Sequence, residues 1–160
     1  MKTLLLKPVA FVIVSIAGLL LLACNKSENE ANDSPNSFTW TFEGNNYTAN
    51  QDTAFTSGLG LNPFVIYAGN GTSYLSLTRR FYFTLSAFAV GSYPFTTGPA
   101  APNRFEYIDD LGNNHGGISG TFNITDHLNN KLSGFFSGTL AGPSGNQPVS
   151  GSFTNMPVKP

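Results

Sequence analysis

The chain has 160 residues, eight basic against nine acidic side chains, and only 11% charged residues, so it is close to neutral. No basic stripe runs along it, which argues against nucleic acid as a partner. The single cysteine, Cys24, leaves no disulfide within the chain, so stability must come from a core.

Lys2 and Lys7 form a short positive start, and Pro8 to Ala23 follows as an uncharged run of 16 residues. A membrane-spanning helix needs about 20 residues, whereas the apolar part of a signal peptide runs about 7–15. Residues 1–23 therefore read as a signal peptide. Leu21-Leu22-Ala23-Cys24 closes it as a lipobox, with the one cysteine of the chain directly after a small residue. Cleavage there makes Cys24 the first mature residue, its thiol takes a diacylglycerol and its freed amine an acyl group. One acyl chain binds a membrane only marginally, while two or three hold firmly. The expectation is a protein anchored to the outer membrane through lipid on Cys24. With that thiol committed to lipid, a reactive-thiol enzyme is excluded.

Residues 24–36 are polar, hold no apolar side chain larger than Ala31 beyond the cysteine, and read as a flexible tether. Glu28, Glu30 and Asp33 follow close behind the lipidation site. This acidic cluster resembles the export signal of Bacteroidetes lipoproteins, which would put the protein on the cell surface. Residues 37–160 then make one domain by length.

Period-two alternation recurs through that domain, and no window shows helical periodicity. Phe38, Trp40 and Phe42 alternate with Thr39 and Thr41, and Glu43-Gly44-Asn45-Asn46 turns the chain toward Tyr47 and Ala49. Pro63 to Ala68 reads as a buried strand, and Asn70-Gly71 as a hairpin turn. Phe81, Phe83 and Leu85 alternate with Tyr82, Thr84 and Ser86. Gly91-Ser92-Tyr93-Pro94 reads as a bend, Arg104 to Ile108 as a short strand, and Asp109 to Gly117 as a loop. Ile118, Gly120, Phe122 and Ile124 are expected on one face of the next strand. Leu132, Gly134, Phe136, Gly138 and Leu140 share a face of its hairpin partner, and Val149, Gly151 and Phe153 close the domain. The expected fold is all-β: an antiparallel β-sandwich or partly closed barrel of about nine or ten short strands. Glycines at inward positions leave room for rings from across the core.

The domain resembles a family of small Bacteroidetes lipoproteins of unknown function. Phe38-Thr-Trp-Thr-Phe-Glu-Gly-Asn-Asn-Tyr-Thr-Ala49 carries the likeness at the start, and Gly91-Ser-Tyr-Pro94 in the middle. Gly120 to Asp126, Leu132 to Gly138 and Val149 to Asn155 carry it at the end. The resemblance implies a sandwich-like fold and an envelope location. It brings no catalytic residues.

Candidate chemistry is sparse. His115 and His127 are the only histidines and read as exposed loop residues, too few for zinc without cysteine. Asp109-Asp110-Leu-Gly-Asn-Asn lacks the spacing and closing glutamate of a calcium loop and reads as a turn. Six scattered acids and no nucleophile elbow do not make a hydrolase. No metal or other cofactor is called for, and the chain reads as a non-enzyme. The surplus is aromatic. Tyr67, Tyr74, Tyr82, Tyr93 and Tyr107 are expected to reach a surface, and Tyr74, Tyr82, Tyr93 and Tyr107 with Arg104 are candidate ligand contacts. Asp52-Thr53-Ala54 resembles a short Bacteroidetes O-glycosylation motif, with Thr53 as acceptor, although it reads more readily as a strand start. The expected function is a binding or interaction module with a glycan or an envelope protein as partner. The alternatives are a structural surface lipoprotein without a specific ligand and a small hydrolase.

Overall fold

Ten strands and no helix make up the computed structural model, which describes residues 35–56, 64–73, 76–98 and 100–160. The expected signal peptide, Cys24 and tether lie outside the described residues, as does Tyr74. The strands are β1 (Ser37–Phe42), β2 (Asn45–Thr48), β3 (Gln51–Thr56), β4 (Phe64–Gly71) and β5 (Leu77–Leu85). They continue as β6 (Gly91–Pro94), β7 (Arg104–Ile108), β8 (Asn114–Leu128), β9 (Lys131–Gly142) and β10 (Gly145–Lys159).

Seven strands close a barrel in the order β3-β4-β5-β7-β8-β9-β10, and β10 returns to β3. Among the described residues that last pair is the one parallel contact, Val158 against Ala54 and Lys159 against Phe55. β10 reaches β3 because it is long and because Asn155, at φ 52°, sits in a bulge between Phe153 and Met156. β1 pairs with β10 along the same edge, ahead of β3, and β2 folds back onto β1. β6 adds to β8. Of the two expected architectures, the barrel is the one formed.

Among the hairpins that turn on two residues, two do so with left-handed backbone at both. Glu43 and Gly44 (φ 50° and 77°) join β1 to β2, and Asn129 and Asn130 (φ 52° and 57°) join β8 to β9. Both central positions are left-handed, the turn whose twist matches the flanking strands. Asn70-Gly71 behaves otherwise. Both residues stay in β4, Asn70 opposite Arg79 and Gly71 opposite Leu77, so the β4–β5 connection lies beyond them. Gly91 to Pro94 is a strand rather than a bend, because its residues pair with Thr121 to Ile124.

The core is aromatic. Phe38, Trp40, Phe42, Phe81, Phe83, Phe105, Tyr107, Phe122, Phe136 and Phe153 are all buried. Phe83 lies at its centre, with ring centroids 5.3 Å from Phe81 and 5.0 Å from both Phe122 and Phe136. Each such ring contributes roughly 1.5–3 kcal/mol through burial. The inward glycines make room as expected. A Cβ at Gly134 would meet the Phe153 ring at 2.7 Å, and one at Gly138 the Phe105 ring at 2.8 Å. Ile118 departs from expectation. A bulge between Gly117 and Ser119 shifts the alternation, so Ile118 is exposed while Phe122 and Ile124 point inward.

Candidate functional site

Because every second residue of these strands faces the core, the others form the outer wall. Phe38, Trp40 and Phe42 point in on β1, so Thr39 and Thr41 point out. Val149 and Phe153 point in on β10, so Ser150 and Ser152 point out. Leu132, Phe136 and Leu140 point in on β9, which turns Phe135, Ser137 and Thr139 outward. The strand registers then line these residues up. One row crosses Asn46, Thr41, Ser150, Ser137 and Thr121. The next crosses Thr48, Thr39, Ser152, Phe135 and Asn123. Thr41 Oγ1 donates to Asn46 Oδ1 at 2.7 Å, and the Thr39 and Ser152 hydroxyls lie 3.1 Å apart.

Two open depressions lie on this wall. One depression of about 730 Å³ lies over β1, β10, β9 and β8, with Thr41, Ser137, Thr139, Gln147 and Ser150 in its lining and Glu43 at the turn. A second, of about 460 Å³, lies over β2, β1, β10 and β9 and shares Thr41, Ser137 and Ser150 with the first. Phe135 lines it and is 50% exposed, a large ring left in water on an otherwise polar face. Glu43 is the only charged side chain in the lining of either depression.

The expected contact residues fall elsewhere. Tyr93 is buried on β6, its hydroxyl donating to the Ala89 carbonyl at 2.6 Å, and burial raises its pKa. Tyr107 is buried on β7 at 1% exposure, and burial pushes its phenol up to about 12. Neither reaches a surface, because the alternation on their strands turns them inward. Tyr82 does face outward on β5, edge-on to Tyr67 at 5.1 Å, but on the far wall of β3, β4 and β5. Arg104 is half-buried on β7 and lines a separate depression of about 210 Å³ with Glu106 and Gly116. The structure therefore does not bring Tyr82, Tyr93, Tyr107 and Arg104 together. Thr53 is buried in β3 with its hydroxyl given to the Asp52 carbonyl at 2.6 Å, so the folded domain does not present it to a glycosyltransferase.

His115 is not an exposed loop residue. It lies in β8 opposite Tyr107, is 6% exposed, and packs edge-on against Phe42 at 5.2 Å. Its Nε2 is 3.2 Å from Asp109 Oδ2, while its Nδ1 is buried without a partner and faces Gly142. Burial works against the charge on Asp109. It is outweighed by hydrogen bonds from the Asn113 side chain and backbone, from His115 and from the Leu111 backbone, which bring the carboxyl down to about 2. Asp109 thus organises the β7–β8 turn, in line with the turn reading of this loop. An aspartate–histidine pair is two-thirds of a hydrolytic triad, but no hydroxyl bonds the free imidazole nitrogen here. The pair braces the turn. His127 is exposed, as expected, with Nδ1 2.8 Å from the Phe88 carbonyl.

Among the described residues no three His, Cys, Asp or Glu side chains converge as metal ligands. Compared with known protein families, with curated proteins and with solved structures, the chain matches none. Phe135 and the hydroxyl rows were the site residues that sequence reasoning missed. The signal was present in Leu132-Ser-Gly-Phe-Phe-Ser-Gly138, where two adjacent phenylalanines cannot both face the core.

Proposed function

We propose that this protein is a non-catalytic binding module that holds a glycan on the outer wall of β2, β1, β10, β9 and β8. The observation that carries the reading is Phe135, exposed among rows of hydroxyl and amide side chains and lining one of two adjoining depressions. A ring takes the C–H face of a sugar, and Ser, Thr and Asn side chains both donate to and accept from its hydroxyls. The absence of a paired acid from the lining, which holds Glu43 alone, favours binding over hydrolysis.

The lipobox reading of Leu21 to Cys24 makes this a lipid-anchored module of the outer membrane, facing outward if the acidic residues behind Cys24 act in export. That location fits the resemblance to small Bacteroidetes lipoproteins and offers envelope or environmental glycans as ligands. Two experiments test the proposal. A glycan array probed with the detergent-solubilised chain should give saturable hits that Phe135→Ala removes. A blank array sinks the glycan reading and turns attention to an envelope protein partner or a purely structural role. Cys24→Ser should release the protein from the membrane fraction, and full retention would refute the anchor.

A further inference from the structure

We infer that the ligand is an uncharged glycan chain lying along the strands and bound through several sugar units at once. The inference rests on the glycan reading above and adds the charge, length and direction of the ligand.

Charge follows from what the wall lacks. Its two depressions are lined by hydroxyls, amides, backbone and rings such as Phe135, and their only charged side chain is Glu43. The domain's cations are engaged or placed elsewhere. Arg79 pairs with Asp110 at 2.7 Å and lies over the Tyr47 ring at 4.3 Å. Arg80 donates to the Leu77 carbonyl, and Arg104 lines the separate depression beside Glu106. Lys131 flanks the β8–β9 turn and Lys159 ends β10. A sulfated or uronic chain seated on this wall would lose hydration without gaining a cation, whereas recognition of such anions rests on Arg and Lys. Ser, Thr and Asn suit a neutral ligand because each offers both a donor and an acceptor, as a sugar hydroxyl does.

Length and direction follow from how the depressions meet. They share Thr41, Ser150 and Ser137, which form one register row, and they extend from it in opposite directions along the strands. One reaches Gln147 and Thr139, the other Ser152 and Phe135. From Gln147 to Ser152 the span along β10 is roughly 17 Å. A groove of that length takes an oligosaccharide rather than one sugar unit.

Titration calorimetry of the full chain in detergent tests this. The probes are neutral hexasaccharides of glucose, mannose and xylose, their monosaccharides, and dextran sulfate and polygalacturonate as anions, each at low and high salt. A neutral hexasaccharide should bind with an affinity that salt leaves unchanged, while its monosaccharide binds at least about tenfold more weakly. Phe135→Ala, and separately Ser137→Val, should each weaken the hexasaccharide by about tenfold, with thermal unfolding confirming that both variants fold. Tight binding of dextran sulfate or polygalacturonate that Phe135→Ala abolishes and salt weakens would overturn the inference and leave the glycan reading standing. A monosaccharide that binds as well as its hexamer would overturn the extended chain. Neutral binding indifferent to both substitutions would overturn the placement, and no saccharide binding at all would overturn both the inference and the reading it rests on.

Discussion

The two outer walls of the barrel share one core and differ in almost everything else. On the wall of β3, β4 and β5, Phe55, Tyr67 and Tyr82 stand half-buried, with Tyr67 edge-on to both of the others. Val65 and Thr84 on the same wall are buried. On the wall of β2, β1, β10, β9 and β8 the outward positions are small, uncharged and mostly exposed, and one ring, Phe135, stands among them. The inward residues of both walls are equally apolar. The difference teaches that aromatic content alone does not mark a binding face. Rings that pack against one another outside the barrel still serve stability, while a lone ring among hydroxyls does little for the fold and is free for a ligand.

The largest expected effect removes what the walls have in common. Phe136 touches Phe38, Phe81, Phe83 and Phe122 and lies directly under the hydroxyl wall. Phe136→Ala should cost about 3–5 kcal/mol in chemical denaturation, as a cavity in a closely packed core. A loss below about 1 kcal/mol would mean that the ring does not fill the core. Next comes Gly151→Ala. The new Cβ would meet the Phe136 ring at 2.5 and 2.6 Å, and overpacking of this kind costs about 1–3 kcal/mol. A neutral result would show that the sheet under the hydroxyl wall can yield.

A reciprocal pair of truncations sharpens the contrast itself. Tyr82→Ala should lower stability by about 1 kcal/mol through loss of its edge contact with Tyr67 and leave glycan binding intact. Phe135→Ala should leave the unfolding midpoint almost unchanged and weaken binding by about tenfold. If Tyr82→Ala weakens binding and Phe135→Ala does not, the walls have been assigned the wrong way round.

Much of this architecture was legible in the chain. The alternations of Phe38-Trp40-Phe42, Phe81-Phe83-Leu85 and Leu132 through Leu140 predict which residues point inward, because each strand shows one apolar and one polar face. Glu43-Gly44 is legible as a turn for its left-handed backbone. Closure of the barrel is not, since it depends on two parallel pairs at Val158 and Lys159 and on a bulge at Asn155, neither of which leaves a mark in the local pattern. Asn70-Gly71 misleads because turn propensity is local and the pairing of β4 with β5 continues past it. His115 misleads for the same kind of reason. Its neighbours are Asn and Gly, yet the register with Tyr107 sends its ring into the core margin. The candidate site escaped because it is assembled from the polar halves of five strands, each ordinary by itself.

The smallest effect concerns acid, and it separates the two sides of the barrel by sign. Asp109 braces the β7–β8 turn as a carboxylate, and its hydrogen bonds hold it at about 2, below the ordinary 3.8. The folded state therefore prefers the ionised form. The stability this adds is complete above the ordinary value and drains away as pH falls from there through about 2. Asp52, beside the aromatic wall on β3, runs the other way. Burial raises its carboxyl above 3.8 in spite of the hydrogen bond from Asn36, so the fold prefers it neutral, and the stability it adds in acid is lost as pH rises through its raised value. Asp109→Asn should flatten the acid limb of a stability-against-pH curve, and Asp52→Asn should raise stability at neutral pH. Urea denaturation across the acid range reads both, and a pair of variants that shift the curve in the same direction would show that the two carboxylates do not oppose each other in the fold.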